Sequence, residues 1–204
     1  MKIIADITAN QLQEQGIIRK DEITIYRYGF DALCTVMLQM ISIFILAIVV
    51  GNFFETLLFY LAFIPLRIYA GGYHANTRLK CYLLSLANYI IFSLALVFVP
   101  GKMYFALILC GCVLSSVIVL KYAPIVHRSR KVSNHIKKHY RTVSVVIGSI
   151  EIIILLILQV IFKENPFILA LFLGMMSETF SMLAVKNKGV EEYGSIEKMA
   201  RGDH

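Results

Sequence analysis

LCTVMLQMISIFILAIVV, residues 33–50, is an apolar run without one charged side chain. Coiled as an α-helix at 1.5 Å per residue it reaches roughly 27 Å, close to the ~30 Å of hydrocarbon in a bilayer. Five more such runs follow, at 53–66, 82–99, 103–122, 143–162 and 165–185, the second being the shortest. With 204 residues, 58% of them hydrophobic, and a mean hydropathy of +0.73, the chain lies outside the soluble range. The expected fold is all-α: a polytopic membrane helical bundle of six transmembrane helices, with a short N-terminal interfacial helix. Asp21-Glu22 can open a helix whose Ile23, Tyr26, Phe30 and Leu33 share one face and lead towards the first span. Met1 to Lys20 reads as polar, with at most a short helix. ITANQLQEQG, residues 7–16, interrupts any signal-peptide core, so a cleaved leader is not expected. Gly51-Asn52 and Pro100-Gly101 read as tight outer turns, and Pro65 should end or kink the second span. No solenoid repeat or low-complexity linker divides the chain. A single integral membrane domain is expected, comprising an N-terminal segment 1–32, a bundle 33–185 and a polar tail 186–204, mobile towards its end.

The net charge of +7 would suit nucleic acid if it were clustered on one surface, but its distribution favours a different reading. Eighteen of the 20 Lys and Arg fall in alternate segments: before span one, between two and three, between four and five, and after six. Only Lys102 and Lys163 lie in the others. Such alternation is the positive-inside pattern and places both termini in the cytoplasm. The densest cluster is a basic inner loop, residues 127–141, which carries Lys137 and Lys138. Anionic lipid is its simplest partner.

Four cysteines are too few and too scattered for a disulfide framework. Cys34, Cys110 and Cys112 fall in or near spans and read as small packing residues. Cys110-x-Cys112 has one residue between the thiols and no histidine nearby in sequence, so no metal site is expected. Cys81 differs because it ends LRIYAGGYHANTRLKC, residues 66–81, a polar interruption between two apolar runs.

Free cysteine has a pKa of about 8.5 and reacts as the thiolate, so a nucleophilic cysteine needs a base or a cationic setting. His74, Arg78 and Lys80 supply those types within one short stretch. On an unbroken helix His74 and Cys81 would be separated by roughly 10.5 Å of rise, too far for contact. Gly71-Gly72 must then bend the chain, giving a re-entrant or bent segment over residues 67–74 that brings His74 over the helix carrying Cys81. Thr77, Cys81, Ser85 and Asn88 form one helical stripe of small polar groups, suited to a bundle interior or wet cavity. Ser85 or Asn88 could orient the site. Arg67 reads first as a snorkelling interfacial cation, and second as a substrate clamp or site-organising charge. Each feature has a plain alternative in a solvated histidine, a packing cysteine or helix–helix hydrogen bonding. Glu151 and Glu178, carboxylates within spans five and six, would suit a non-catalytic peptide exporter or carrier, or a paired structural set. A sensor or scaffold has no motif in its favour.

The run Arg67-x-x-x-Gly71-Gly72-x-His74-Ala75 with Cys81 beyond it resembles the AgrB (accessory gene regulator protein B) family. Tyr28-Gly29 and Ala123-Pro124 are similar to that family's pattern too, and the resemblance covers essentially the whole chain. One departure is the absence of a proline within residues 127–131. The resemblance implies a multi-pass cysteine endopeptidase of the bacterial cell membrane that acts in peptide quorum sensing. Its substrate would be an AgrD-type precursor peptide, Cys81 its nucleophile and His74 its general base. A thioester on Cys81 would pass to a cysteine of the substrate, closing a thiolactone. A homodimer is implied, with no cofactor and no nucleic-acid partner.

Overall fold

The structure, a computed structural model, describes residues 2–73, 77–125 and 133–201, with side chains described between residues 6 and 185 of these. Among the described residues there are seven α-helices, one 3-10 turn and no strand. They are α1 (Lys2–Glu14), α2 (Ile23–Val50), α3 (Phe53–Ala70), α4 (Arg78–Phe98), α5 (Tyr104–Tyr122), α6 (Asn134–Phe162) and α7 (Pro166–Arg201), with the 3-10 turn at Gly101–Met103. Six are long and apolar enough to cross a membrane, and they coincide with the six apolar runs of the sequence. Their outer faces carry large apolar side chains in the open, such as Val49 at 77% and Val97 at 76% exposure. Lipid tails make that exposure favourable where water would not.

The helices form two compact units. The first comprises residues 1–51 and 76–89, which hold α1, α2 and the first half of α4. Here α1 is tied to α2 through Arg27, whose Nε lies 3.2 Å from Asp6 and whose Nη2 donates to Asn10 at 2.9 Å. Both charged partners of the ion pair are well exposed, so the bridge contributes at most about 1 kcal/mol. The helix opened at Asp21-Glu22 runs unbroken into the first span and stops at Gly51, whose φ of 84° is the left-handed conformation glycine adopts without a Cβ clash.

The second unit comprises residues 52–75 and 90–204, in which α3, α5, α6 and α7 pack together. Its core is built around Leu66, Ile108, Leu155, Leu169, Met175 and Met182, all essentially inaccessible. Small residues allow the close approaches. Gly174 of α7 lies against the Phe59 carbonyl of α3, and Gly111 of α5 lies under the Phe172 ring of α7. Ser115 and Thr179 share a buried hydrogen bond of 2.9 Å between α5 and α7. Such contacts replace the hydrophobic drive that lipid-embedded helices lack.

Three boundaries differ from expectation. Of the two expectations for Pro65, an end or a kink, the end is not met, because the helix continues to Ala70. Proline removes one intrahelical bond, which a tightly packed membrane helix tolerates. The basic segment is not wholly a loop: α6 begins at Asn134, so Lys137, Lys138 and Arg141 occupy its first turns. Cations are unfavourable at a helix N-terminus, which is why the start is hard to read from charge. Ser133 caps it by accepting from the Ile136 amide, and Arg141 reaches the Leu120 carbonyl near the end of α5 at 3.3 Å. Residues 127–132 of that segment lie outside the described residues. The polar tail, for which no helix is expected from sequence, continues α7 as far as Arg201, and residues 202–204 lie outside the described residues.

Candidate active site

The described parts of the stretch 66–81 fall in different units, residues 66–73 in the second and 77–81 in the first. In the second unit α3 keeps regular helix through Ala70 and breaks at residues 71–73. The break therefore begins later than expected, since residues 67–70 stay helical. The Gly71 amide closes the helix on the Arg67 carbonyl at 3.2 Å, and the Ala70 carbonyl accepts from the Ile125 amide at 2.7 Å. The chain just after Ala123-Pro124, joined by a cis peptide bond, thus lies against the end of α3.

The two glycines serve different needs. Gly71 has φ 70° and ψ 179°, a combination open almost only to glycine, and a Cβ there would strike the Ile125 carbonyl oxygen. Gly72 has no left-handed backbone. A side chain at that position would run into the Arg67 guanidinium, with Ser181 Oγ at 2.6 Å and Glu178 Oε1 at 2.7 Å. Gly71 supplies the turn, and Gly72 supplies the room.

Arg67 is not a snorkelling cation. Its side chain is only 20% exposed and turns inward to Glu178, which is completely buried on α7. Nη1 lies 3.3 Å from Glu178 Oε2 and donates to Ser181 Oγ at 2.6 Å, while Nη2 donates to the Tyr73 carbonyl. Ser181 Oγ also accepts from the Tyr73 amide at 3.0 Å. A fork-shaped cation suits this task because its donors point in fixed directions. Glu178 and Ser181 were not readable as partners of the motif from sequence. Glu178 stood out as a carboxylate in an apolar run, but 111 residues separate it from Arg67.

In the first unit Cys81 is the fourth residue of α4, half-buried, with its amide bonded to the Thr77 carbonyl at 3.0 Å. Thr77 Oγ1 accepts from the Lys80 amide at 3.3 Å, satisfying one of the orphan donors of the first turn. Ser85 and Asn88 share the half-buried face with Cys81, whereas Leu83, Leu84 and Ala87 are exposed. Arg78 is paired with Asp31 of α2, which is buried despite its charge. Asp31 Oδ1 has no hydrogen-bond partner among the described residues. Arg78 is therefore engaged with α2 at the start of the helix that bears Cys81.

His74 lies outside the described residues, and so does the expected approach of its ring to the Cys81 sulfur. Lys137 and Lys138 are exposed. Glu151 Oε2 on α6 lacks a hydrogen-bond partner among the described residues, while Glu178 has Arg67. Cys34 is half-buried, Cys110 exposed and Cys112 buried, each as a free thiol. No cluster of three metal-ligating side chains occurs among the described residues.

A family model described as Accessory gene regulator B matches residues 5–182. Curated relatives carry the name Accessory gene regulator protein B. The protein from Staphylococcus aureus (strain MRSA252) is 26% identical over 180 residues, covering 88% of this chain and 92% of its own. That from Staphylococcus intermedius is 26% identical over 177 residues, or 87% and 90% of the two chains. That from Staphylococcus carnosus (strain TM300) is 23% identical over 159 residues, or 78% and 82%. No solved structure matches.

Proposed function

This chain belongs to the accessory gene regulator B family, and from that premise we propose that it is a membrane cysteine endopeptidase that cuts and cyclises an AgrD-type precursor peptide. The observation that carries the reading is the placement of Cys81: half-buried in the first turn of α4, directly after the glycine-broken segment that leads into His74. The amide-rich start of a helix favours negative charge developing there.

The steps follow from the residue types. His74 takes the Cys81 proton, and the thiolate adds to the scissile carbonyl of the precursor. The tetrahedral adduct collapses as the amine of the acidic tail leaves with the proton from His74, and the peptide stays on Cys81 as a thioester. A thiol within the peptide then attacks that thioester, closing a thiolactone and restoring Cys81. Thioester exchange between thiols is nearly balanced in energy, and holding the peptide thiol close favours it over water. The first half, amide to thioester, is uphill, so release of the tail or the product must draw the reaction forward. A carrier without covalent chemistry has less in its favour, since Glu178 is engaged by Arg67. Purified protein in liposomes, given precursor alone, should yield a shortened peptide lacking the mass of one further water. Transport of intact precursor without cleavage would favour the carrier instead.

In this reading both termini and the site face the cytoplasm, and two copies form a homodimer in the cell membrane. The orientation is testable in an otherwise cysteine-free chain. Single cysteines at Asn52, Lys102 and Lys163 should react with an impermeant thiol reagent added outside, and one at Lys138 should not. The reverse pattern would invert the topology.

Lys137 and Lys138, exposed on the first turns of α6, are proposed to attract the acidic end of the precursor. Reversing both charges should weaken precursor binding in neutral detergent, and the defect should resemble the effect of high salt on the unaltered protein. Unchanged affinity would leave anionic lipid as the partner of these side chains.

A further inference from the structure

The Tyr73 backbone is held at both of its polar atoms by side chains from elsewhere in the fold: its carbonyl by Arg67 of α3, its amide by Ser181 of α7. Peptide groups are planar. The Tyr73 carbonyl belongs to the peptide bond that joins Tyr73 to His74, and the Tyr73 amide belongs to the one that joins Gly72 to Tyr73. Two successive peptide planes leading into His74 are thereby clamped, in a stretch with no helix or sheet to hold it. The clamp converges on a single side of one guanidinium. Arg67 Nη1 faces both the buried Glu178 carboxylate and Ser181 Oγ, which leaves Nη2 directed at the Tyr73 carbonyl. Gly72 is bare at the point where a side chain would displace Nη1.

We infer that Glu178 and Ser181 are positioning residues for the reaction, holding Arg67 and, through it and Ser181, the Tyr73 backbone one residue before the proposed base. The inference rests on the reading of His74 as the base, and goes beyond it by assigning α7 a part in the chemistry. Glu178 fixes the guanidinium, and the guanidinium and Ser181 fix the Tyr73 backbone. None of the three side chains need touch the substrate. Without these contacts the Gly71-Gly72 turn would leave the Tyr73 backbone free to take many conformations.

The test uses full-length protein in liposomes, with Cys34, Cys110 and Cys112 replaced by alanine so that Cys81 is the sole thiol. Three quantities are read: kcat and KM for precursor cleavage, and the pH dependence of Cys81 alkylation by iodoacetamide. Ser181→Ala and Glu178→Gln should each lower kcat, by roughly the hundredfold that about 1 Å of misplacement brings, with little change in KM. Their alkylation profiles should depart from that of the parent and approach that of His74→Ala. A Ser181→Ala protein with parental kcat, or with lowered kcat but the parental alkylation profile, would overturn the inference. Should Glu178→Gln fail to assemble, Ser181→Ala decides alone, because it removes one oxygen atom and no charge. The catalytic reading fails separately: in that case His74→Ala itself would show the parental profile and cleave normally.

Discussion

Cys81→Ala is expected to reduce precursor cleavage by about 10⁴-fold or more, the scale seen when a catalytic nucleophile is removed. Alanine keeps the helix and nearly the volume, so α4 should still start at Arg78 and precursor should still bind. Cys34→Ala, Cys110→Ala and Cys112→Ala should leave cleavage largely intact. Only Cys112 is buried, and its loss should appear as reduced stability of roughly 1 kcal/mol rather than as lost chemistry. His74→Ala should stop cleavage while sparing binding, because it removes a proton acceptor and not a docking surface. Mass spectrometry of precursor incubated with each purified variant distinguishes these outcomes. An active Cys81→Ala protein would sink the mechanism, and loss of cleavage on replacing Cys34 would move the nucleophile to another thiol.

Gly72→Val should also be damaging, for a reason that has nothing to do with backbone freedom. The new side chain would occupy the space of Arg67 Nη1 and press on Ser181 Oγ and Glu178 Oε1. Driving Arg67 aside leaves the fully buried Glu178 carboxylate without its cation, and breaking a buried pair in that way costs about 3–5 kcal/mol. The detergent-solubilised variant should therefore unfold at lower temperature, and cleavage in liposomes should fall by roughly 10²-fold or more. A double-mutant cycle isolates the cause: with Arg67→Ala already present, Gly72→Val should add far less damage than it does alone. Full additivity would mean that Gly72 acts through something other than room for Arg67. Gly71→Ala should also harm the protein, but by forcing a side chain into φ 70° and against the Ile125 carbonyl, a strain of about 1–3 kcal/mol that Arg67→Ala would not relieve.

The number and order of the spans followed from residue types alone. An apolar stretch such as residues 33–50 has one way to satisfy its backbone in hydrocarbon, and helix length is set by counting residues. The family was equally legible: two glycines, a histidine and a cysteine in one polar interruption resemble a family whose model matches residues 5–182. Helix ends were less so. Pro65 sits inside α3 despite a local cost of about 3 kcal/mol, and α6 starts among lysines because a Ser133 cap outweighs a charge preference of at most about 1 kcal/mol.

What sequence could not supply were the pairings across long separations. Arg67 looks like any interfacial cation until α3 is laid against α7, and Arg78 looks like an activating charge until Asp31 of α2 is found to hold it. Adjacent glycines look interchangeable until one proves to need φ 70° and the other proves to face a guanidinium. Hydrophobic length and helical period are properties of neighbouring residues, so a sequence determines them by itself. Which charge meets which depends on how close two helices can come, and that is decided in three dimensions, where Gly174 lets α7 approach the Phe59 carbonyl of α3 and so brings Glu178 and Ser181 within reach of Arg67.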